Sequence, residues 1–276
     1  MPYRVASGDV ELAVLEVGTA AGFSVVVLPG LSDGLAPVTE PAARRLFEQV
    51  PVPMVGYRGL VLSHRLPAIG ELTTRVLATD AAAALDALLD RPAVLVGHSM
   101  GGMVALHLAA DRPDLVAGLV LSATTAVADD QLRGVLRRWD ELVSQGDHLG
   151  FARDAIETSF TGLARDEQLD LLAAAPPDPP GPQLVTRHLV LSEACAIHDA
   201  RDRLDAVVAP ALVLLGDRDR VVAPAATAAL ADRLRGAWFE RFSGMGHAFP
   251  EQAGQRFNRS VRRFLDRVHR LGWGAR

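Results

Sequence analysis

A single serine lies between glycines where an apolar run ends, in the segment Gly97-His98-Ser99-Met100-Gly101 of VLVGHSMGGMVAL. If a strand turns sharply into a helix here, the turn holds the serine in a strained backbone conformation and raises its side chain above a sheet. Only small flanking residues let such a turn close. The helix that follows would direct its free N–H groups at the same point, where they favour negative charge. The pattern therefore predicts an exposed hydroxyl nucleophile beside an anion-binding position.

A serine hydroxyl is a weak nucleophile unless a base takes its proton, and that base needs an acid to orient it. Two later segments supply candidates, each after a predicted strand. LVLLGDRDRVVAP offers Asp217 and Asp219, and FERFSGMGHAFPEQ offers His247. The chain order serine, aspartate, histidine is the order found when the serine lies on a strand-to-helix turn. We therefore predict acyl chemistry with Ser99 as nucleophile and His247 as base, while the spacing leaves both aspartates open.

The elements that would position these residues follow from hydrophobic periodicity. Short apolar, β-branched runs such as FSVVVLPG, PAVLVGHS and VAGLVLSAT alternate with helical patterns, which is typical of parallel strands joined by crossover helices. From about Val127 the alternation stops and the chain reads as helical, with a proline-rich break at PPDPPGP, until strands resume at APALVLLGD. We predict an α/β fold, with a mostly parallel, doubly wound sheet of about eight strands in residues 1–124 and 206–276 and a helical cap inserted at residues 125–205.

Three segments in this order, GHSMGG, APALVLLGDRDRVVAP and GMGHAF, resemble the motifs of the serine hydrolases of the α/β-hydrolase superfamily. The resemblance covers nearly the whole chain and implies that fold, with the cap between the sixth and seventh core strands. It selects Asp219 as the acid of the triad, because Asp219 ends the family's G-x-x-D segment. It also implies that the backbone N–H groups of Met100, after the serine, and of Leu31, in the loop LPGLSDG, bind the oxyanion of the tetrahedral intermediate.

Two segments depart from the family pattern. Pro29-Gly30 stands where His-Gly is common. The chain also reads GYRGLVLSHRLP where many relatives have Asp-x-Arg-Gly-x-Gly-x-Ser. Either Gly56 replaces that aspartate or the strand is GLVLSHR, which we favour because β propensity concentrates in residues 60–62. This second interpretation puts Ser63-His64-Arg65 near the active-site end of the strand, either as substrate contacts or as loop structure.

The cap would roof the site, because its predicted helices have apolar faces and carry aromatic residues. The candidate residues for the substrate pocket are Ser32, Ser63, His64, Trp139, Phe151 and Phe160. Such a pocket favours a mainly apolar small molecule over a peptide or a polysaccharide. The expected reaction is hydrolysis of an ester, thioester or lactone through an acyl-enzyme on Ser99.

Two alternatives keep the same triad. One is a non-hydrolytic enzyme, such as an acyltransferase, a C–C bond hydrolase or lyase, a perhydrolase or a natural-product cyclase, since the fold alone does not define the reaction. The other, which we favour less, is a catalytically silent small-molecule receptor. The identity of the product separates hydrolysis from the first alternative, and covalent trapping of the serine tests the second.

Composition argues against several classes of function. The net charge is −5, so the chain lacks the basic surface that a nucleic-acid partner needs. Its 28 basic residues are all arginine, which is typical of a protein encoded by a GC-rich bacterial genome. No apolar run approaches the roughly 18 to 20 residues that cross a bilayer, so we expect no membrane partner and a cytoplasmic protein. The single cysteine, Cys195, forms only an isolated C-x-x-H with His198, so we expect no metal site and no cofactor. The expected partner is a small-molecule substrate, and the oligomeric state, monomer or homodimer, stays open.

Overall fold

A computed structural model of the chain describes residues 3–7, 10–17, 24–31, 58–62 and 72–272. Their strands form one sheet, and helices pack on both of its faces. The strands are β1 (Tyr3–Ser7), β2 (Val10–Val17), β3 (Ser24–Leu28), β4 (Arg58–Leu62), β5 (Ala93–His98), β6 (Val116–Ser122), β7 (Ala211–Gly216) and β8 (Trp238–Phe242). The α-helices are α1 (Thr74–Leu88), α2 (Met100–Asp111), α3 (Asp130–Ser144), α4 (His148–Ser159), α5 (Gly162–Ala174), α6 (Pro182–Ala196), α7 (Pro224–Arg233), α8 (Phe249–Gln252) and α9 (Gly254–Arg270).

The strand order across the sheet is β1-β2-β4-β3-β5-β6-β7-β8. The pairs β1/β2 and β2/β4 are antiparallel, and every pair from β4/β3 to β7/β8 is parallel, so the predicted α/β fold is confirmed. The chain runs outward from β3 to β4 and then crosses back to β5, on the other side of β3. Ligands of open parallel sheets bind at the carboxyl ends of the strands at such a switch point. Leu31 follows β3 and Ser99 follows β5, so both lie at this position.

The central strands are buried on both faces, which explains their almost continuous apolar sequence. Successive side chains of a strand point to opposite sides of the sheet. Val26 and Leu28 therefore pack on the side that holds α1 and α2, whereas Val25 and Val27 pack on the side that holds α9. The core thus holds the ends of β3 and β5 in fixed relative positions.

Helices α3 to α6 occupy the chain between β6 and β7. Helix α3 begins after Asp129, whose carboxylate accepts a hydrogen bond from the backbone N–H of Leu132 at 2.8 Å. It is amphipathic, as its periodicity predicts, and its buried residues are Leu132, Val135, Leu136, Trp139 and Val143. No helix in the described part of the chain is both long enough and apolar enough to cross a bilayer.

The two ends of this helical segment leave the sheet side by side. Val127 and Asp199 form an antiparallel bridge there. Next to the bridge, the ring of His198 lies 2.8 Å from Thr74 Oγ1 through Nδ1 and 3.2 Å from the Thr125 carbonyl through Nε2. Burial, the main cause, lowers the pKa of His198 to about 3. The junction between the helical segment and the sheet therefore contains a buried, uncharged histidine.

Strand β4 tests the two interpretations of the segment around Arg58. It spans Arg58–Leu62, so residues 60–62 lie in the strand, as the favoured interpretation predicts, and the Arg-Gly pair begins that strand. Ser63 and His64, which follow directly, lie outside the described residues, as does Ser32. Their proposed contacts with substrate therefore stay predictions.

Candidate active site

The turn between β5 and α2 has the strained geometry that its sequence predicts. Ser99 has φ 53° and ψ −120°, a backbone conformation that costs a non-glycine residue about 1–3 kcal/mol. The N–H of Ser99 donates to the Ser122 carbonyl of the neighbouring strand β6 at 2.8 Å, and its carbonyl accepts from Thr124 Oγ1 at 2.8 Å. These bonds hold the turn in place, and the Ser99 side chain lines a cavity above the sheet.

The glycines of GHSMGG are required because backbone atoms pack against Gly97 and Gly101 and the Thr124 side chain packs against Gly102. A Cβ on Gly97 would lie 2.6 Å from the N atom of Gly102. A Cβ on Gly101 would lie 2.6 Å from the carbonyl carbon of Leu28, at the end of β3, and one on Gly102 would lie 2.6 Å from Thr124 Cβ. Each added Cβ would therefore force the end of β3, the start of α2 or the end of β6 out of place.

The aspartate that contacts His247 is Asp219. His247 Nδ1 lies 2.7 Å from Asp219 Oδ2, and the two side chains are 9% and 3% exposed. The other oxygen, Oδ1, accepts hydrogen bonds from the N–H groups of Val221 and Val222 at 2.8 and 2.9 Å. Asp217 instead accepts from the N–H of Gly244 at 2.6 Å. Asp219 and His247 meet because the parallel neighbours β7 and β8 end at the same edge of the sheet.

Ser99 and His247 line the same cavity, but no hydrogen bond joins their side chains in the described part of the chain. Catalytic hydrogen bonds of this kind often form only when substrate is present. His98 packs beside His247, with 4.9 Å between the ring centroids, and its Nδ1 lies 3.2 Å from Ser122 Oγ. Burial, with a smaller effect of His247, lowers the pKa of His98 well below its usual value. An uncharged ring therefore borders the predicted base.

The resemblance implies backbone donors for an oxyanion at Met100 and Leu31. The N–H groups of Gly102 and Met103 donate to the Ser99 carbonyl at 3.0 and 3.3 Å, whereas that of Met100 has no acceptor among the described residues. Met100 is the first residue of α2, so its N–H is one of the free donors at the positive end of that helix. Leu31 lines the cavity next to Ser99. Met100 follows Ser99 directly and Leu31 lines the same cavity, and their role as oxyanion donors stays a prediction.

The cavity has a volume of about 240 Å³ and a mostly apolar wall. Trp139 and Phe160, both predicted for the pocket, line it. So do Leu132, Ile156 and Cys195, which the sequence analysis did not assign to the pocket. The apolar stripe of α3 was the available signal for Leu132, whereas nothing in the sequence pointed to the other two.

The prediction for Phe151 requires a correction, because this residue does not line the cavity beside Ser99. Its ring packs edge-on against Trp139, with 5.9 Å between the centroids, and against His188, at 5.1 Å. On its other side it borders a separate cavity of about 120 Å³ between the helices. Phe151 therefore packs against Trp139, and of these two rings only that of Trp139 lines the cavity beside Ser99.

Trp139 is also held by a polar contact. Its Nε1–H donates to Asp154 Oδ2 at 2.8 Å, and Arg138 binds both oxygens of the same carboxylate at 2.8 and 2.9 Å. Burial raises the pKa of Asp154, but the hydrogen bonds from Arg138 and Trp139 outweigh it and the pKa is lowered. The carboxylate therefore stays charged, and it fixes the indole ring in the wall of the cavity.

Cys195 is not a competing nucleophile. Burial, with a smaller effect of Asp140, raises the pKa of its thiol to about 12, so the reactive thiolate is scarce. Its sequence neighbour His198 points elsewhere, to Thr74 and Thr125. The described residues contain no group of three or more side chains suited to hold a metal ion.

A family model described as alpha/beta hydrolase fold matches residues 24–253 of the chain. A protein of Caulobacter vibrioides named "Putative carbamate hydrolase RutD" is 28% identical over 267 residues, which covers 91% of this chain and 94% of that protein. The pimeloyl-acyl-carrier-protein methyl ester esterase of Neisseria meningitidis serogroup B is 31% identical over 189 residues, or 61% of this chain and 68% of that one. The crystal structure of MGS-M2, an alpha/beta hydrolase enzyme from a Medee basin deep-sea metagenome library, superposes with a TM-score of 0.85 at 17% identity, over 96% of this chain and 97% of that one. Because the family model spans most of the sequence and the fold agrees with it, the chain belongs to the α/β-hydrolase family.

Proposed function

We propose that this protein is a serine hydrolase that cleaves a carboxylic ester, thioester or lactone through an acyl-enzyme on Ser99. The observation that carries the proposal is the arrangement around one cavity: Ser99 on a strained turn, and a His247 ring whose Nδ1 lies 2.7 Å from the buried Asp219. The names of the relatives support hydrolysis at a carbonyl group, since one is named as a carbamate hydrolase and another as a methyl ester esterase.

The contact with Asp219 sets the proton positions on His247. Because Asp219 accepts at Nδ1, the neutral ring carries its proton there and leaves the Nε2 lone pair free. Nε2 then takes the proton of the Ser99 hydroxyl as Oγ attacks the substrate carbonyl. Asp219 stabilises the imidazolium that forms, and its Oδ1 is kept in place by two backbone N–H groups.

The tetrahedral intermediate carries a negative charge that the N–H groups of Met100 and Leu31 bind, each contributing about 10²- to 10³-fold to the rate. When the intermediate collapses, His247 returns its proton to the leaving alcohol or thiol. A water molecule, deprotonated by His247, then attacks the acyl-enzyme and releases the acid. Ser99 recovers its proton in the last step, so the cycle consumes only substrate and water.

The cavity supports a small, uncharged acyl group. Its volume of about 240 Å³ lies below the roughly 300–1,000 Å³ of pockets for drug-sized ligands. The described lining is mostly apolar, which favours an uncharged acyl group. A short aliphatic or small aromatic acyl chain fits this wall, with Trp139 and Phe160 beside it.

The helical segment acts as the cap in this proposal, with residues 125–205 as the cap and residues 1–124 and 206–276 as the core. Helix α3 brings Leu132 and Trp139 into the cavity wall, and the end of α4 brings Ile156 and Phe160. Core residues supply the strained serine, the base and the acid. The division assigns substrate choice to the cap and bond cleavage to the core.

Intact-mass measurement after incubation with a fluorophosphonate tests the proposal. Wild type is expected to gain a single adduct and Ser99→Ala none, because phosphonylation requires an activated serine and an oxyanion site. Hydrolysis of p-nitrophenyl butyrate, followed in the same two proteins, then separates turnover from simple reactivity. A folded wild-type protein that gains no adduct and hydrolyses no ester would contradict the proposal.

A further inference from the structure

A short segment of the helical region is fastened to the loop that carries His247. The segment is Ser159–Thr161, from the last residue of α4 to the residue before α5, and the loop is Gly244–Ala248, after β8. The N–H of Ala248 donates to the Ser159 carbonyl at 2.9 Å, and Thr161 Oγ1 donates to the Gly244 carbonyl at 2.9 Å. Hydrogen bonds therefore hold the loop on both sides of His247.

Gln252, in the short helix α8, completes this contact. Its Nε2 donates to the carbonyl oxygen and to the hydroxyl oxygen of Thr161, both at 3.1 Å. Nε2 must be the atom that faces Thr161, because a backbone carbonyl only accepts hydrogen bonds. We call Thr161 and Gln252, with their hydrogen bonds to each other and that of Thr161 to Gly244, the clasp. Thr161 belongs to the helical segment, whereas Gln252 follows the His247 loop in the chain.

The loop packs closely against the helical segment at Gly246. A Cβ added to Gly246, the residue before His247, would collide with the Ser159 carbonyl oxygen. On the core side the same loop is anchored by Arg218, whose N–H donates to the Met245 carbonyl at 2.9 Å. His247 thus lies between Met245, which the core anchors, and Ala248, which the helical segment anchors.

Building on the proposed function, we propose that Thr161 and Gln252 are positioning residues for His247. They act through the loop backbone, keeping the imidazole in line with Asp219 while its other nitrogen faces Ser99. Ser159 and Phe160, next to Thr161, line the substrate cavity, so the segment that contacts the substrate also holds the base. Neither positioning residue touches the reacting atoms.

Substitution of Thr161 tests the clasp at a single hydroxyl. Thr161→Val keeps the shape of the side chain and removes its hydroxyl, and Thr161→Ser keeps the hydroxyl. Leu163→Ala is the matched control, because Leu163 lies in the next turn and is 80% exposed. We expect Thr161→Val to slow phosphonylation by a fluorophosphonate about 2- to 10-fold, the value of the bond that its hydroxyl donates to Gly244, with KM for the ester little changed. Thr161→Ser and Leu163→Ala are expected to react at the wild-type rate.

A second measurement detects the hydrogen bond between His247 and Asp219 without relying on catalysis. The proton between His247 and Asp219 is expected to give a low-field resonance in the ¹H NMR spectrum, which His247→Asn removes and Thr161→Val shifts or broadens. If Thr161→Val fails to fold, Gln252→Leu provides a second test of the clasp, because it removes the amide group that donates to Thr161. A valine variant with wild-type phosphonylation rate and an unchanged resonance would overturn the clasp, as would a serine variant that is as slow as valine. If wild type gains no adduct, the proposed function fails, and the resonance still decides the role of Thr161.

Discussion

Replacement of Asp219 by asparagine is expected to lower kcat for ester hydrolysis by about 10³- to 10⁴-fold, because it changes both a charge and a tautomer. Oδ1 of Asp219 accepts from the N–H groups of Val221 and Val222, so in the variant the amide oxygen is held at that position. The amide NH₂ group then faces His247 Nδ1, which must become an acceptor. The ring proton moves to Nε2, and the ring loses the lone pair that takes the serine proton.

The magnitude follows from the burial of the pair. Both side chains are nearly enclosed, at 3% and 9% exposed, and their atoms lie 2.7 Å apart. A unit charge pair at about 4 Å contributes about 4 kcal/mol at an effective dielectric constant of about 20. If this attraction acts on the imidazolium of the transition state, its loss costs about 10³-fold in rate, and the wrong tautomer adds to that loss.

The comparison with Asp217→Asn makes the test specific. Asp217 lies two residues away and accepts one hydrogen bond, from the N–H of Gly244, so its replacement is expected to cost no more than about 10-fold. Both variants are assayed for kcat and KM with p-nitrophenyl butyrate, and circular dichroism checks their folding. A greater loss in Asp217→Asn than in Asp219→Asn would refute the assignment of the acid and the mechanism built on it.

Two further predictions concern the cavity and the junction. Trp139→Leu removes the indole from the cavity wall, so it is expected to raise the ratio of kcat/KM for octanoate esters to that for butyrate esters at least about tenfold. Trp238 packs against Phe264 of α9, so Trp238→Leu is expected to leave this ratio unchanged. An unchanged ratio in Trp139→Leu would count against the proposed acyl pocket. Burial lowers the pKa of His198 from 6.5 to about 3, so the ring binds a proton in the unfolded chain at a higher pH than in the folded protein. The free energy of unfolding is therefore expected to fall as the pH falls from about 6.5 toward 3, by up to about 1.4 kcal/mol per pH unit. Urea unfolding at several pH values should show a shallower loss in His198→Gln, and equal slopes in both proteins would exclude this origin.

Much of the fold follows from patterns that act over short distances. The strand before Ser99, the turn and the helix after it lie within Val94–Leu106, and the structure places them as predicted. The glycines of that turn made it recognisable in the sequence, because backbone atoms of three elements meet around it and leave no space for a Cβ. The apolar face of α3 was equally predictable from the sequence, because helical periodicity does not depend on the partner that the helix packs against.

The identity of the acid and the shape of the pocket depend on contacts between distant residues. Residue type and spacing left both Asp217 and Asp219 open, and the resemblance to the G-x-x-D segment selected Asp219. The structure shows that Asp219 is the one that contacts His247. Phe151 has the residue type expected of a pocket wall, yet the docking of α4 against α3 places it behind Trp139.

The sequence by itself therefore determined the parallel α/β pattern, its helical insertion, and Ser99 and His247 as candidates, because turn chemistry and periodicity reside in neighbouring residues. The more specific α/β-hydrolase fold and Asp219 followed from the resemblance of three motifs to that superfamily. Only the tertiary structure decided that Cys195 lines the cavity while Phe151 does not, that the Asp219 carboxylate lies 2.7 Å from His247, and that Thr161 and Gln252 bond beside the histidine loop. The physical reason is that each of these contacts joins side chains from elements far apart in the chain, whose docking depends on the packing of the whole core.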